Sequence, residues 1–195
     1  MGKTTIDGNL FSLPWTQSIL GTHLKGKVNF MAVGWLTRVN FDPPMMGVCV
    51  NKGNSSSEAV LETGQFSINV PSVDMVEITD YTGLVSGNKV DKSEVFQVFY
   101  GDLPSAPLIR SCPVNVECRL VQTVELPTNN FFIGEMVNVH VGEEFLDGGK
   151  PDITKIRPFL LTMPDNRFWA VGENVGRAWG SGAIFLKGEK KPQGF

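Results

Sequence analysis

The segment 114-VNVECRLVQTVELPTNNFFIGEMVNVHV-141 decides the fold. Residues 114–126 alternate in part between apolar and polar, 127-PTNN-130 supplies turn residues, and 131–141 resumes as a strand-forming run. Two such runs around a short turn read as an antiparallel hairpin. A long hairpin of this kind is the commonest route to a closed barrel. Working outward, further β-rich runs bounded by Gly, Pro and Asn lie at 28–39, 45–50, 66–70 and 158–163. Helical patterns are few. Ser55 with Glu58 reads as a capping box opening a helix that Gly64 stops. Ser72 caps a second helix, 73-VDMVEITDYT-82, ending at Gly83, and a third short helix is expected over 172–179. Strands without regular βαβ alternation argue against a doubly wound sheet. The expectation is a mainly β protein: one domain over residues 1–195, an antiparallel barrel with peripheral helices.

Composition narrows the function classes. The chain has 195 residues, 42% hydrophobic and 19% charged, with a formal net charge of −3. That balance points to neither nucleic acid nor an anionic membrane as partner. Lys187, Lys190 and Lys191 gather near the C-terminus, where a solvated terminus accounts for them. Cys49, Cys112 and Cys118 are odd in number and form no C-x-x-C pair, and His23 and His140 are the two histidines. Zinc and iron–sulfur chemistry need more ligands than these, so no metal site is expected. Buried free cysteines in a reducing compartment fit best. MGKTTIDGNL has no apolar leader core, and no apolar run is long enough to span a bilayer, so a cytoplasmic location is expected.

Several motifs carry less than they suggest. GKT at 2–4 lacks the upstream glycine and strand of a phosphate loop. GSG at 180–182 has no strand–turn–helix context for dinucleotide binding. With two histidines, no nucleophile–base pair of a hydrolase is readable.

The loop 51-NKGNSSS-57 is more informative, because it joins a buried strand to a helix start. Free N–H groups and the positive dipole end favour an anion there. Serine hydroxyls and Lys52 would add hydrogen bonds to phosphate oxygens. A plain capped helix with solvated serines accounts for the pattern equally well. Trp35, Phe168 and Trp169, with amides such as Asn29, would suit a flat ligand carrying a phosphate at one end, although core packing explains each aromatic singly.

At this point the chain resembles the flavin reductase-like, FMN-binding split-barrel family. The resemblance rests on 29-NFMAVGW-35, PPMMGVCV at 43–50, NKGNSS at 51–56 and FSINVPS at 66–72. It continues through SGNKVDKSE at 86–94, FFIGEMVNVHV at 131–141 and FWAVGENVGRAW at 168–179, covering nearly the whole chain in order. It implies a six-stranded antiparallel Greek-key split barrel, a homodimer, and one FMN held non-covalently per subunit. Flavin contacts would fall on Asn29, Met31, Ala32, Trp35 and Thr37. The phosphate would lie on Asn51, Lys52, Ser55 and Ser56, where relatives often have Thr at position 56. Asn69 and Lys92 would follow, Lys92 raising the flavin potential if it lies near the N1–C2=O edge, and Phe168 or Trp169 would pack near the ring. Relatives commonly carry His just before FIGE; Asn129 stands there and cannot change protonation near neutral pH as His can.

The function implied is that of an FMN redox protein. It would take electrons from NAD(P)H or a redox protein, with the flavin rather than a side chain supplying the chemistry. A non-enzymatic flavin store or sensor on the same barrel is the alternative, and a ligand-free interaction module is a third.

Overall fold

A computed structural model describes residues 2–10 and 13–186; Lys187, Lys190 and Lys191 lie outside the described residues. Its main elements in chain order are strands β1 (Ser18–Leu24), β2 (Lys27–Val33), β3 (Leu36–Asn40) and β4 (Met45–Asn51), then helix α1 (Ser55–Thr63), strand β5 (Gln65–Val70) and helix α2 (Val76–Leu84). Strands β6 (Val114–Glu125), β7 (Asn129–Val141), β8 (Phe159–Thr162) and β9 (Arg167–Ala170) complete them. The hairpin that decides the fold forms as expected, β6 against β7 from Val114 opposite Val141 to Glu125 opposite Asn130. Register shifts at Ile133/Gly134 and Met136/Asn138 interrupt it. Such bulges bend a strand and increase its twist, as a curling sheet requires.

One antiparallel sheet runs in the order β2-β1-β5-β6-β7-β4-β3. Its two edge strands, β2 and β3, are joined by only Gly34 and Trp35. Three Cα steps separate Val33 from Leu36, at most about 11 Å. The sheet therefore has to curl until its edges meet, and a barrel split along one seam results. Its interior packs Leu20, Val33, Val48, Val50, Phe66, Ile68, Val116, Cys118 and Phe132 with Val60 of α1. Outside it, Ile19, Phe30, Ile109 and Cys112 form a second cluster against Phe96 and Val98.

The sheet has seven strands, one more than expected. Three differences produce the count: the run 28–39 is two strands on opposite edges, Ser18–Leu24 forms a strand not read from the sequence, and the run 158–163 pairs in a separate three-stranded sheet. Further differences concern the helices. The N-cap of α1 is Asn54, with no side-chain cap bond, and Ser55 is the first helical residue, so the capping box does not form. Glu58 instead faces Lys25 at 3.9 Å. Gly64 does stop α1, at φ 65° with its N–H on the Val60 carbonyl, a left-handed conformation that glycine adopts without strain. Ser72 precedes a single 3-10 turn, Val73–Met75, without a side-chain cap, and α2 runs past Gly83 to Leu84. Residues 171–177 form no helix, and the chain turns at 178–182 before a short helix, Ala183–Leu186. Residues 171–179 are all exposed, Val175 and Trp179 fully so, and no buried apolar face holds a helix in place there.

A three-stranded sheet, Trp15–Thr16 with β8 and β9, borders the seam. Among the described residues no helix is long and apolar enough to cross a membrane.

Candidate functional site

A cleft of about 470 Å³ lies along the seam, within the size range of small-ligand sites. Its apolar wall comes from Met31 and Val33 of the edge strand β2, Trp35 of the connection, Val50 of β4 and Leu161 of β8. Its polar end is the start of α1. The end of α2 and the residues just after it, 83–87, close another side.

Ser55, Ser56 and Ser57 are all buried although they begin a helix. The Ser57 N–H donates to the Asn54 carbonyl at 2.9 Å, while those of Ser55 and Ser56 find no acceptor among the described residues. Each is a free donor at the positive end of a two-turn helix. Asn29 supports them from β2: its Nδ2 donates to Ser56 Oγ at 3.0 Å and Thr22 Oγ1 at 3.2 Å. Its Oδ1 is buried and without a partner. Gly87 covers this group. A Cβ there would collide with Asn29 Oδ1 and stand 3.1 Å from Ser55 Oγ, so only glycine lets the 85–87 segment lie so close.

Lys92 reaches the cleft from below. It is 3% exposed, and its Nζ donates to the carbonyls of Phe30 at 2.7 Å and Thr82 at 2.8 Å. No carboxylate pairs with it among the described residues. Burial pushes its pKa down to about 8, because the charged form loses hydration without gaining a counter-ion. A buried ammonium with one free N–H and no anion is an incomplete ion pair.

The structure brings together Met31, Ala32, Trp35, Asn51, Ser55, Ser56, Lys92 and Asn129 on the cleft, with Asn29 directly behind Ser56. Asn129 faces Asn51 in register across β7 and β4. The others lie elsewhere. Thr37 is on the exposed face of β3, bonded to the Arg38 carbonyl. Lys52 sits in a separate recess with Glu125, 3.4 Å from its carboxylate. Asn69 is buried on the far side of the sheet, bonded to Ile19, Ser67, Ile109 and Asn115. Phe168 packs edge-on against Phe159, and Trp169 Nε1 donates to Thr162 Oγ1.

Sequence reasoning missed Asn54, whose Nδ2 reaches Met31 Sδ at 3.3 Å, together with Leu161 and the backbone of 83–87. Asn54 was readable, since it lies within the quoted loop; Leu161 and 83–87 reach the cleft only through tertiary packing. Cys112 and Cys118 are buried as expected, and burial pushes the Cys118 thiol up to about 12. Cys49 is only half-buried and lines the cleft.

The cleft thus combines free donors at the start of α1, a buried ammonium, amides and an aromatic wall, a lining that suits a flat molecule carrying an anionic group. The fold is that of an antiparallel split barrel with a cleft along its seam. The chain belongs to the flavin reductase like domain family, whose model matches residues 10–160. Flavoredoxin from Methanosarcina acetivorans is similar at 52% identity and a TM-score of 0.91, over 93% of this chain and 98% of that one. Flavoredoxin of Desulfovibrio vulgaris (Miyazaki F) is 30% identical with a TM-score of 0.86, over 93% and 100%. An FMN reductase (NADH) of Ancylobacter novellus is 26% identical over 119 residues, 60% of this chain and 63% of that protein.

Proposed function

We propose that this chain is a flavin-dependent redox protein holding FMN non-covalently in the seam cleft. The observation that carries the reading is the set of unsatisfied groups at one end of the cleft. The free N–H groups of Ser55 and Ser56 and their hydroxyls lack an anion that a phosphate would supply, and the Lys92 ammonium on the same cleft lacks a counter-ion, which places it on the phosphate in this reading rather than at the flavin N1–C2=O edge. Asn29 holds the Ser56 hydroxyl oxygen by its amide, leaving the hydroxyl proton to donate outward. Asn51, Asn54 and Asn129 offer edge hydrogen bonds, and Trp35 offers a face. Bound FMN would supply the electron chemistry. The protein binds it, orients it and excludes water from its apolar side. Names given to relatives, flavoredoxin and FMN reductase (NADH), support electrons arriving from a nicotinamide cofactor or a redox protein.

The protein works as a homodimer in this reading. Phe41 is 82% exposed, and Val175 and Trp179 are fully exposed on a segment that leaves the body of the subunit. Apolar surface of that kind marks an interface, and an isologous pair closes it. Light scattering of the FMN-loaded protein should give twice the chain mass of 21.4 kDa; the mass of a single chain would contradict the dimer.

The function is tested by adding FMN to the purified protein and then NADH or a reduced redox protein under anaerobic conditions. A perturbed flavin absorption band that then bleaches supports the reading. Binding without bleaching by any donor would make the protein a flavin store, and no perturbation at all would remove the flavin.

A further inference from the structure

A second recess, of about 340 Å³, adjoins the seam cleft and shares Gly87 and Lys92 with it. Its lining carries Lys25, Lys27, Lys89 and Lys92 against the single carboxylate of Asp91. This local excess of positive charge stands in a chain whose net charge is −3. Lysines gathered around one concavity repel one another, and an anion there relieves the repulsion.

The four ammonium groups are not equally committed: that of Lys92 is buried on the Phe30 and Thr82 carbonyls. Lys27 is neutralised by Asp91 at 2.8 Å. Lys89 makes a backbone bond to Ser86, but its ammonium has no partner among the described residues. Lys25 has only long contacts, 3.5 Å to Asn88 Oδ1 and 3.9 Å to Glu58. It is the first residue of a two-residue turn between β1 and β2 with φ of 51° and 77° at Lys25 and Gly26. Such a turn fixes where the side chain starts. Glu58 belongs to the first turn of α1, so Lys25 stands beside the helix start whose N–H groups are free.

Resting on the flavin reading of the neighbouring cleft, we propose that this recess holds a second nucleotide phosphate, beyond the one at Ser55 and Ser56. Lys25 and Lys89 are its principal ligands. A mononucleotide carries one phosphate and fills the helix start alone. A flavin dinucleotide continues past Gly87 from that start, whereas a nicotinamide dinucleotide enters beside bound FMN; in either case the further phosphate meets Lys25, held only by long contacts, and Lys89. Two sources share this chemistry: the adenylate half of FAD, and the phosphate that distinguishes NADP from NAD. The recess thus sets which dinucleotide the protein accepts.

The test is equilibrium binding to the full chain and to the double variant Lys25→Gln, Lys89→Gln. Lys27 is left in place because removing it would strand Asp91. FMN and FAD are titrated into the flavin-free protein, and NAD+ and NADP+ into the FMN-loaded protein. FMN affinity should change less than about twofold in the variant, which also shows that it is folded. Loss of about tenfold or more for FAD assigns the recess to a flavin dinucleotide, the size expected when charge-assisted bonds to phosphate are removed. The same loss for NADP+ with NAD+ unchanged assigns it to a nicotinamide dinucleotide phosphate. Parallel changes for FMN and FAD together with NAD+ and NADP+, or no change in any, overturn the proposal. Failure of the unsubstituted protein to bind FMN would overturn the flavin reading itself, and this proposal with it.

Discussion

The sheet buries polar side chains on two sides, and the two sets differ in whether their bonds are complete. On the side covered by residues 96–112, Asn69 uses Nδ2 on Ile19 and Ser67 and Oδ1 on Ile109 and Asn115. Beside it the fully buried Glu117 accepts from the Leu103 N–H at 2.7 Å, from Asn138 at 3.2 Å and from His140 at 2.7 Å. Ser67 completes the set with a short bond to the Pro107 carbonyl. None of the buried side-chain polar atoms in this set lacks a partner. At the seam the opposite holds: the Asn29 Oδ1, two helix N–H groups and one Lys92 N–H are left over. A completed network fixes a loop to a sheet, whereas an incomplete one waits for a ligand.

The largest expected effect breaks the completed side. Glu117→Ala strands the Leu103 N–H, Asn138 and His140, and loss of a buried charged partner costs about 3–5 kcal/mol. Urea unfolding should show that loss, while protein still folded at low denaturant binds FMN as before. A large drop in FMN affinity with unchanged stability would reverse the assignment of the two sides.

Next comes the incomplete side. Lys92→Met should weaken FMN binding by roughly ten- to a hundredfold, the worth of one charge-assisted bond. Stability should scarcely fall, because a buried ammonium without a counter-ion is costly to keep. The sign of its pH dependence follows from a folded pKa of about 8 against an ordinary value near 10.5. Between those pH values the unfolded chain binds more protons, so the stability of the flavin-free protein rises with pH across that window. FMN affinity does the reverse, falling as pH passes about 8, because the phosphate favours the charged amine. The Met variant should lose both trends. A flat affinity profile in the unsubstituted protein would place Lys92 off the phosphate.

Asn69→Ala should cost about 1–3 kcal/mol of stability for the Ile109 N–H and Asn115 amide it leaves, with no change in FMN affinity. Smallest of all, Lys52→Ala should change FMN affinity by less than about twofold, since its partner is the exposed Glu125 and exposed pairs contribute at most about 1 kcal/mol. A tenfold loss there would move the phosphate toward the neighbouring recess.

Much of this was legible in the sequence, for reasons that particular segments show. The hairpin β6–β7 alternates and is bounded by turn residues, so its pairing could be read directly. Helix α1 announced itself through its serine start and its glycine stop. Strand β1 did not, because six of its seven residues are buried and burial on both faces erases the alternation that betrays a strand. The run 28–39 looked continuous because Gly34 and Trp35 break the strand without a proline or polar cluster, and the break decides that two edges meet. Asn69 shows the limit at the site. An amide in a buried strand reads the same whether it serves a ligand or a loop, and only the count of its partners separates the two. Lys92 was placed in the cleft by resemblance, and the structure adds that its ammonium is buried without a carboxylate.

The central claim is that the start of α1 is a phosphate site, and the most direct measurement compares FMN with riboflavin by calorimetric titration in the unsubstituted protein and in Ser56→Ala. The two ligands differ only in the phosphate. The account predicts that FMN binds at least about tenfold tighter than riboflavin. It further predicts that Ser56→Ala narrows the gap by weakening FMN while riboflavin binding stays within about twofold. Equal affinities in the unsubstituted protein, or equal losses for both ligands in the variant, would contradict it.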